Sequence, residues 1–185
     1  FASYALFNAG LDVRSARSLP ELSGRIIEFA SRCSDKILMG FGASPHCVAE
    51  RRLISRAELD RACPEKPLFL VKYDGHACII NSRLIAALPA KIKTLRGFHG
   101  DSGEMNQEAF FAVTDFVTKK IPLPRTLKNM LSAVDKMAGK GIGLMHTVSG
   151  VGFPFDLDVT LETLLGRGGA GITLPRASLT VAVYC

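Results

Sequence analysis

The apolar residues of this chain change period several times between its two ends, and that alternation constrains the fold more than composition does. Ser18-Leu19-Pro20-Glu21 puts a serine three residues ahead of a glutamate, with proline just inside. This is a helix start, and Leu22, Ile26, Phe29 and Ala30 follow at helical spacing. Lys36 to Phe41 reads as a short buried strand. Ser55-Arg-Ala-Glu58 repeats the start signal for a helix that Pro64 ends, and Pro67 to Tyr73 is a strong strand stopped by Asp74-Gly75. Asn81 to Leu88 is helical in pattern, whereas Pro89 to Ser102 is looser and reads as a linker or mobile loop. Helical spacing resumes from Ala109 to Val117. It is clearest from Pro124 to Ala138, where Leu127, Met130, Leu131, Val134 and Met137 form one stripe. Ile142 to Thr147 then reads as a strand, Asp158 to Leu165 as a helix and Ser178 to Tyr184 as a last strand. Strands and helices in alternation predict an α/β fold with parallel pairing.

Composition narrows the function classes. The chain has 185 residues, of which 48% are hydrophobic and 22% charged, values that exclude a disordered polypeptide. It is short for a complete eight-stranded α/β barrel, which needs about 250 residues. It starts at Phe1 and stops at Cys185 directly after an apolar run, so a piece of a longer protein is expected. The net charge of +6 comes from 23 Lys and Arg set against 17 acids, and the longest basic runs are the pairs Arg51-Arg52 and Lys119-Lys120. Cations so scattered, in a chain with no Trp, argue against a nucleic-acid partner. A basic module for an acidic partner rests on charge alone. Five irregularly spaced cysteines contain no C-x-x-C pair, which removes zinc-ribbon and thioredoxin-type readings; most sit in apolar company and read as inert buried thiols. Without a signal peptide or a long apolar span, the expectation is a cytoplasmic protein with no membrane partner.

In α/β folds chemistry gathers where strands end at their carboxyl side. Two predicted strand ends carry polar groups there, Tyr73-Asp74-Gly75-His76 and Met145-His146-Thr147. A histidine so placed serves as a base or metal ligand, or simply as a hydrogen-bonded turn residue. His46 has no metal-ligand spacing to another donor and reads as structural or exposed. The glycine clusters Gly139 to Gly143 and Gly166 to Gly171 lack the order and the ending of nucleotide-binding loops.

The segment Pro67-Leu-Phe-Leu-Val-Lys-Tyr-Asp-Gly-His-Ala-Cys-Ile-Ile-Asn-Ser-Arg-Leu84 is more specific. It resembles the P-x-F-L-x-x-x-D-G-H-A-x-x-x-N-S-x-A-L stretch of metal-dependent amidohydrolases of the N-substituted formamide deformylase-like branch. Three flanking segments agree in order. Ser55-Arg-Ala-Glu-Leu-Asp60 is similar to the branch's T-R-A-E-L-D, and Gly103-Glu-Met-Asn-Gln-Glu-Ala109 to its G-x-L-x-x-E-A. Gly141-Ile-Gly-Leu-Met-His146 is similar to its G-I-T-S-V-H-D. Departures occur at Gly42 to Cys47, where the branch has W-D-E-N-x-W, at Thr147 in place of Asp, and in a shortened stretch from Pro89 to Gly100.

The resemblance implies part of a (β/α) barrel with an inserted α/β segment. Residues 1–185 would form the central fragment of a catalytic domain, with 1–100 insert-like and 101–185 returning to the barrel. It implies hydrolysis of non-peptide C–N bonds, of amide or formamide type, in a small-molecule substrate by a water activated on a divalent metal, foremost zinc. The family's H-x-H motif would precede Phe1 and its later ligands would follow Cys185, so this chain is expected to hold no complete catalytic set and to bind no metal itself. Asp74, His76 and Asn81 are the implied substrate-pocket residues, with Asp74 orienting His76; Glu108 and His146 are the metal candidates. Each has a plainer reading: a turn at Asp74-Gly75, a helix cap at Asn81-Ser82, an exposed first-turn glutamate at Glu108. A non-catalytic lid or accessory module is the alternative function. Strands parted from their neighbours would also favour self-association, or a homo-oligomer.

Overall fold

The computed structural model describes residues 2–142, 144–148, 159–160 and 180–184. The chain divides into two compact units, Gly10–Lys120 and the combination of Phe1–Ala9 with Ile121–Cys185.

The unit Gly10–Lys120 is built on a six-stranded mixed sheet. Its first half repeats strand and helix: β1 (Leu11–Asp12), α2 (Leu19–Arg32), β2 (Leu38–Ala43), α3 (Arg56–Ala62) and β3 (Leu68–Lys72). The three strands run parallel and adjacent. From there the pairing reverses. β4 (Ala77–Ile80) returns antiparallel beside β3, and α4 (Ser82–Ala87) and α5 (Ala90–Lys93) follow. β5 (Phe98–His99) and β6 (Glu104–Asn106) complete an order of β1-β2-β3-β4-β6-β5, and α6 (Gln107–Thr118) closes the unit. The expectation of parallel pairing therefore holds for half of this sheet. Between β3 and β4 there are only four residues, enough for a hairpin and too few for the crossover that a parallel neighbour requires.

Side-chain alternation along β3 explains the two-layered core. Leu68 and Leu70 join Leu38 and Ile79 on the face covered by Leu22 and Ile26 of α2 and Leu59 of α3. Phe69 and Val71 turn the other way and are equally buried, as are Cys78, Ile80 and Met105, while α6 packs on β4 and β6. A strand buried on both faces reads as the unbroken apolar run seen at Pro67 to Tyr73. The segment 89–102 is not a loose linker. Ile92 of α5 is buried, the Gly97 carbonyl accepts from Asn106 N (3.0 Å) and the Arg96 carbonyl from Ala109 N (3.1 Å). The segment is part of the compact unit that extends to Lys120.

In the second unit, α1 (Ala2–Ala9) packs against α7 (Leu123–Ala138), and β7 (Leu144–Val148) pairs parallel with β8 (Thr180–Tyr184). The predicted helix around Asp158 to Leu165 and the glycine cluster Gly166 to Gly171 lie outside the described residues apart from 159–160. Among the described residues no helix is long and apolar enough to cross a membrane.

Candidate functional site

Strand register sorts the motif residues to two opposite edges of the sheet. β1, β2 and β3 all end at one edge, at Asp12, Ala43 and Lys72; β4 begins there at Ala77 and β6 ends there at Asn106. This carboxyl edge holds the turn Tyr73-Asp74-Gly75-His76. β4 then runs to the opposite edge, where Asn81 and Ser82 stand. Five residues at about 3.4 Å each put His76 and Asn81 roughly 17 Å apart.

Most of the family-like signature lies at the amino edge and holds the fold together. Asn81 is fully buried. Its Oδ1 accepts from Leu68 N (2.9 Å) and Leu84 N (3.0 Å), and its Nδ2 donates to the carbonyls of Cys63 (3.0 Å) and Lys66 (2.8 Å). These four bonds use the two donors and two acceptor positions of the amide. Within this unit Asn81 is a buried tie between α3, β3 and α4 and the cap of α4. Ser82 donates its hydroxyl to Asp60 Oδ2 (2.7 Å) while its amide reaches Asp60 Oδ1 (2.7 Å), joining α3 to α4. Glu58 closes a capping box on Ser55 and forms a two-pronged pair with Arg52 (2.7 and 2.8 Å), which holds its carboxyl down at about 2. Arg56 N donates to the Ser102 carbonyl (3.1 Å) and its guanidinium reaches the Gly100 carbonyl. At Gly103, with φ +79, a Cβ would come within 2.5 Å of the Ile80 carbonyl oxygen. Only glycine fits there.

The carboxyl edge differs in character. Asp74 and His76 are exposed at the tip of the β3–β4 hairpin, where Gly75 N donates to the Lys72 carbonyl (3.0 Å). Gly75 has φ +73, and open space surrounds the position of a Cβ, so glycine is favoured there by conformation alone. Asp74 Oδ1 accepts from the backbone amide of His76 (3.1 Å). The carboxylate thus fixes the turn through the main chain of His76. Lys72 Nζ lies 3.9 Å from both Asp74 Oδ2 and Glu104 Oε1. Tyr73, 63% exposed, stacks on Phe41 at 6.4 Å between centroids. Arg14 lies over the other ring at 5.7 Å and is clamped by Asp12, at 2.7 Å for the closest oxygen. The Arg14 guanidinium hydrogen-bonded to Asp12 lowers that carboxyl's pKa.

This shelf of Phe41, Tyr73 and Arg14 was not singled out in the sequence. Its available signal is that Asp12, Phe41 and Tyr73 all fall at the carboxyl ends of neighbouring parallel strands, and that adjacency is a tertiary fact. Glu108 follows Asn106 at this same edge, exposed in the first turn of α6. Among the described residues no hydrogen bond or ion pair links it to Asp74 or His76. His146 lies in β7, opposite Ala182 of β8, in the other unit; its side chain lies outside the described residues. Among the described residues no three His, Cys, Asp or Glu side chains are grouped to hold a metal ion. The described part of the chain does not fit a complete metal centre.

Comparisons with known proteins add the fold. No protein-family profile matches the sequence, and no curated protein matches it significantly. Two solved structures do match. One is an uncharacterized metal-dependent hydrolase from Pyrococcus horikoshii, at 18% identity and a TM-score of 0.64, covering 99% of this chain and 34% of that one. The other is an uncharacterized metal-dependent hydrolase from Pyrococcus furiosus, at 20% identity and a TM-score of 0.63, covering 99% of this chain and 35% of its own. The chain thus has the fold of a segment of these hydrolases and spans about a third of their length.

Proposed function

We propose that this chain is the middle segment of a metal-dependent amidohydrolase that cleaves non-peptide C–N bonds of amide or formamide type in a small-molecule substrate. The observation that carries the reading is the fold match over 99% of the chain to two metal-dependent hydrolases, joined to the D-G-H-x4-N-S signature. In this reading the parent forms a (β/α) barrel, is cytoplasmic, and holds its divalent metal, foremost zinc, on residues beyond those described. The metal, when bound, makes hydroxide available near neutral pH.

Within this chain the unit Gly10–Lys120 is the inserted segment and its carboxyl edge faces the substrate. The exposed imidazole of His76 is positioned to donate a hydrogen bond to the carbonyl oxygen of a bound substrate. The Asp74 carboxylate holds the turn that presents it. Glu108 stands along the same edge as a carboxylate near the site, and His146 is the candidate donor of the second unit.

The test uses the full-length parent. Metal content is measured, and hydrolysis of an N-substituted formamide series is followed for the parent and for His76→Ala and His76→Gln. Loss of kcat in His76→Ala, partly restored in His76→Gln, supports the reading; unchanged kcat and KM with every substrate would sink the role of His76. A parent without stoichiometric divalent metal would sink the hydrolase reading itself. A second reading is favoured by the exposure of the hairpin tip and the absence of a grouped donor set among the described residues. The unit then acts as a lid that shapes the pocket, for which His76→Ala raises KM and leaves kcat unchanged.

A further inference from the structure

Two non-glycine residues among those described have a positive φ, Arg51 at +53 and Gln107 at +49. In that left-handed region the Cβ of an L-residue crowds its own backbone, a penalty that glycine escapes. Arg51 uses its side chain within its own loop, where the guanidinium donates to the His46 carbonyl (3.2 Å). Gln107 is exposed, and its carboxamide has no hydrogen-bond partner among the described residues. The strained backbone at Gln107 thus carries a polar side chain that the fold does not use.

The surrounding ties show why the strain is held. β6 ends at Asn106 and α6 begins at Gln107, so strand passes into helix with no connecting residue. Asn106 N donates to the Gly97 carbonyl (3.0 Å) and Ala109 N to the Arg96 carbonyl (3.1 Å), which fixes the chain on both sides of the turn. The change of direction falls on residue 107. Glycine would make it without penalty, and strain that a structure over-determines in this way gathers at functional sites. The last ladder pair between β4 and β6 is Ala77 with Asn106. Directly beyond it stand His76 on one strand and Gln107 on the other, an exposed imidazole and an exposed carboxamide at neighbouring positions of the carboxyl edge.

We infer that Gln107 is a specificity-determining residue that binds the N–H of the scissile amide. The inference rests on the hydrolase reading and deepens it. With His76 donating to the substrate carbonyl oxygen, the carboxamide Oε1 supplies the acceptor that the donor imidazole does not. An amide that keeps its N–H matches both groups, whereas an N,N-disubstituted amide leaves Oε1 without a partner. The substrate class is therefore the N-monosubstituted amide or formamide.

The test compares kcat/KM of the full-length parent for N-butylformamide and for N-butyl-N-methylformamide. The parent is expected to favour the first. Gln107→Met, unbranched and of similar length but without the acceptor, is expected to lower that preference about tenfold. Gln107→Glu keeps an acceptor oxygen and is expected to keep the preference. Gln107→Gly is expected to lower the preference while raising the Tm of the 185-residue protein by about 2–4 °C, because the turn strain is relieved. A parent with no preference would overturn the assignment, and so would an unchanged preference in Gln107→Met, since space rather than a hydrogen bond would then select the substrate. A Tm that stays level or falls in Gln107→Gly would remove the strain on which the inference stands. His76→Ala separates this inference from the reading beneath it. If that variant loses kcat while every Gln107 variant keeps the preference, the role of Gln107 alone fails; if it is silent as well, the hydrolase reading of this edge fails with it.

Discussion

Replacing Asn81 by alanine is expected to unfold much of the amino edge, and the size of the effect follows from its four hydrogen bonds. The substitution removes one acceptor shared by Leu68 N and Leu84 N and two donors to the Cys63 and Lys66 carbonyls. Leu68 is fully buried, so its amide finds no water in exchange. A buried polar group left without a partner costs about 1–3 kcal/mol. Loss of the N-cap of α4 costs about 1 kcal/mol. The carbonyls of Cys63 and Lys66 flank a loop and recover part of their loss from solvent. The sum is roughly 3–5 kcal/mol, a large share of the 5–15 kcal/mol that ordinarily holds a domain together. Urea unfolding followed by far-ultraviolet circular dichroism measures the total, since the chain has no Trp to report it. Amide hydrogen exchange at Leu68 and Leu84 reads the local loss directly, and both protections are expected to fall together. A loss below about 1 kcal/mol with exchange at both amides unchanged would refute the structural role. If, in the proposed full-length hydrolase, Asn81→Ala abolished turnover while stability held, Asn81 would act in the substrate pocket as well.

Glu58→Gln should cost about 1–2 kcal/mol at neutral pH, discounted for the exposure of Arg52. Because the folded pKa of Glu58 is depressed from 4.5 to about 2, the stability it adds is fully present above about pH 4.5 and is lost as pH falls toward 2; paired urea melts across that window should converge at the acid end. Gly103→Ala should destabilise by about 3 kcal/mol or more, because a methyl there meets the Ile80 carbonyl, whereas Gly75→Ala, in open space, should cost about 1 kcal/mol; thermal melts that rank the two the other way would contradict the backbone geometry. Among the described cysteines, Cys33 and Cys47 should react first with a thiol reagent at pH 8. Cys63 and Cys78 should lag, since burial raises both thiols; simultaneous labelling of all four would argue against the packing of β4.

Local signals in the sequence sufficed for the elements whose causes are local. The Ser18 and Ser55 caps, the apolar stripe of α7 and the breaks at Pro64 and Asp74-Gly75 depend on neighbours within a turn or two, so α2, α3, α7 and β3 were legible in advance. Ala77 to Ile80 is four apolar residues with no period of its own, and only its pairing with β3 and β6 makes it a strand. The segment 89–102 appeared loose for the same reason: its ties run to Asn106 and Ala109, bonds that no local pattern announces.

The signature residues separate along the same line. By itself the sequence determined that D-G-H and N-S belong to one specific segment of an α/β chain. Tertiary structure alone decided that four strand residues carry the two halves to opposite edges, where they do different work. At one edge Asn81, surrounded by buried backbone groups, must satisfy them and so serves the fold. At the other, His76 stands exposed at the tip of a hairpin, where among the described residues nothing covers its side chain.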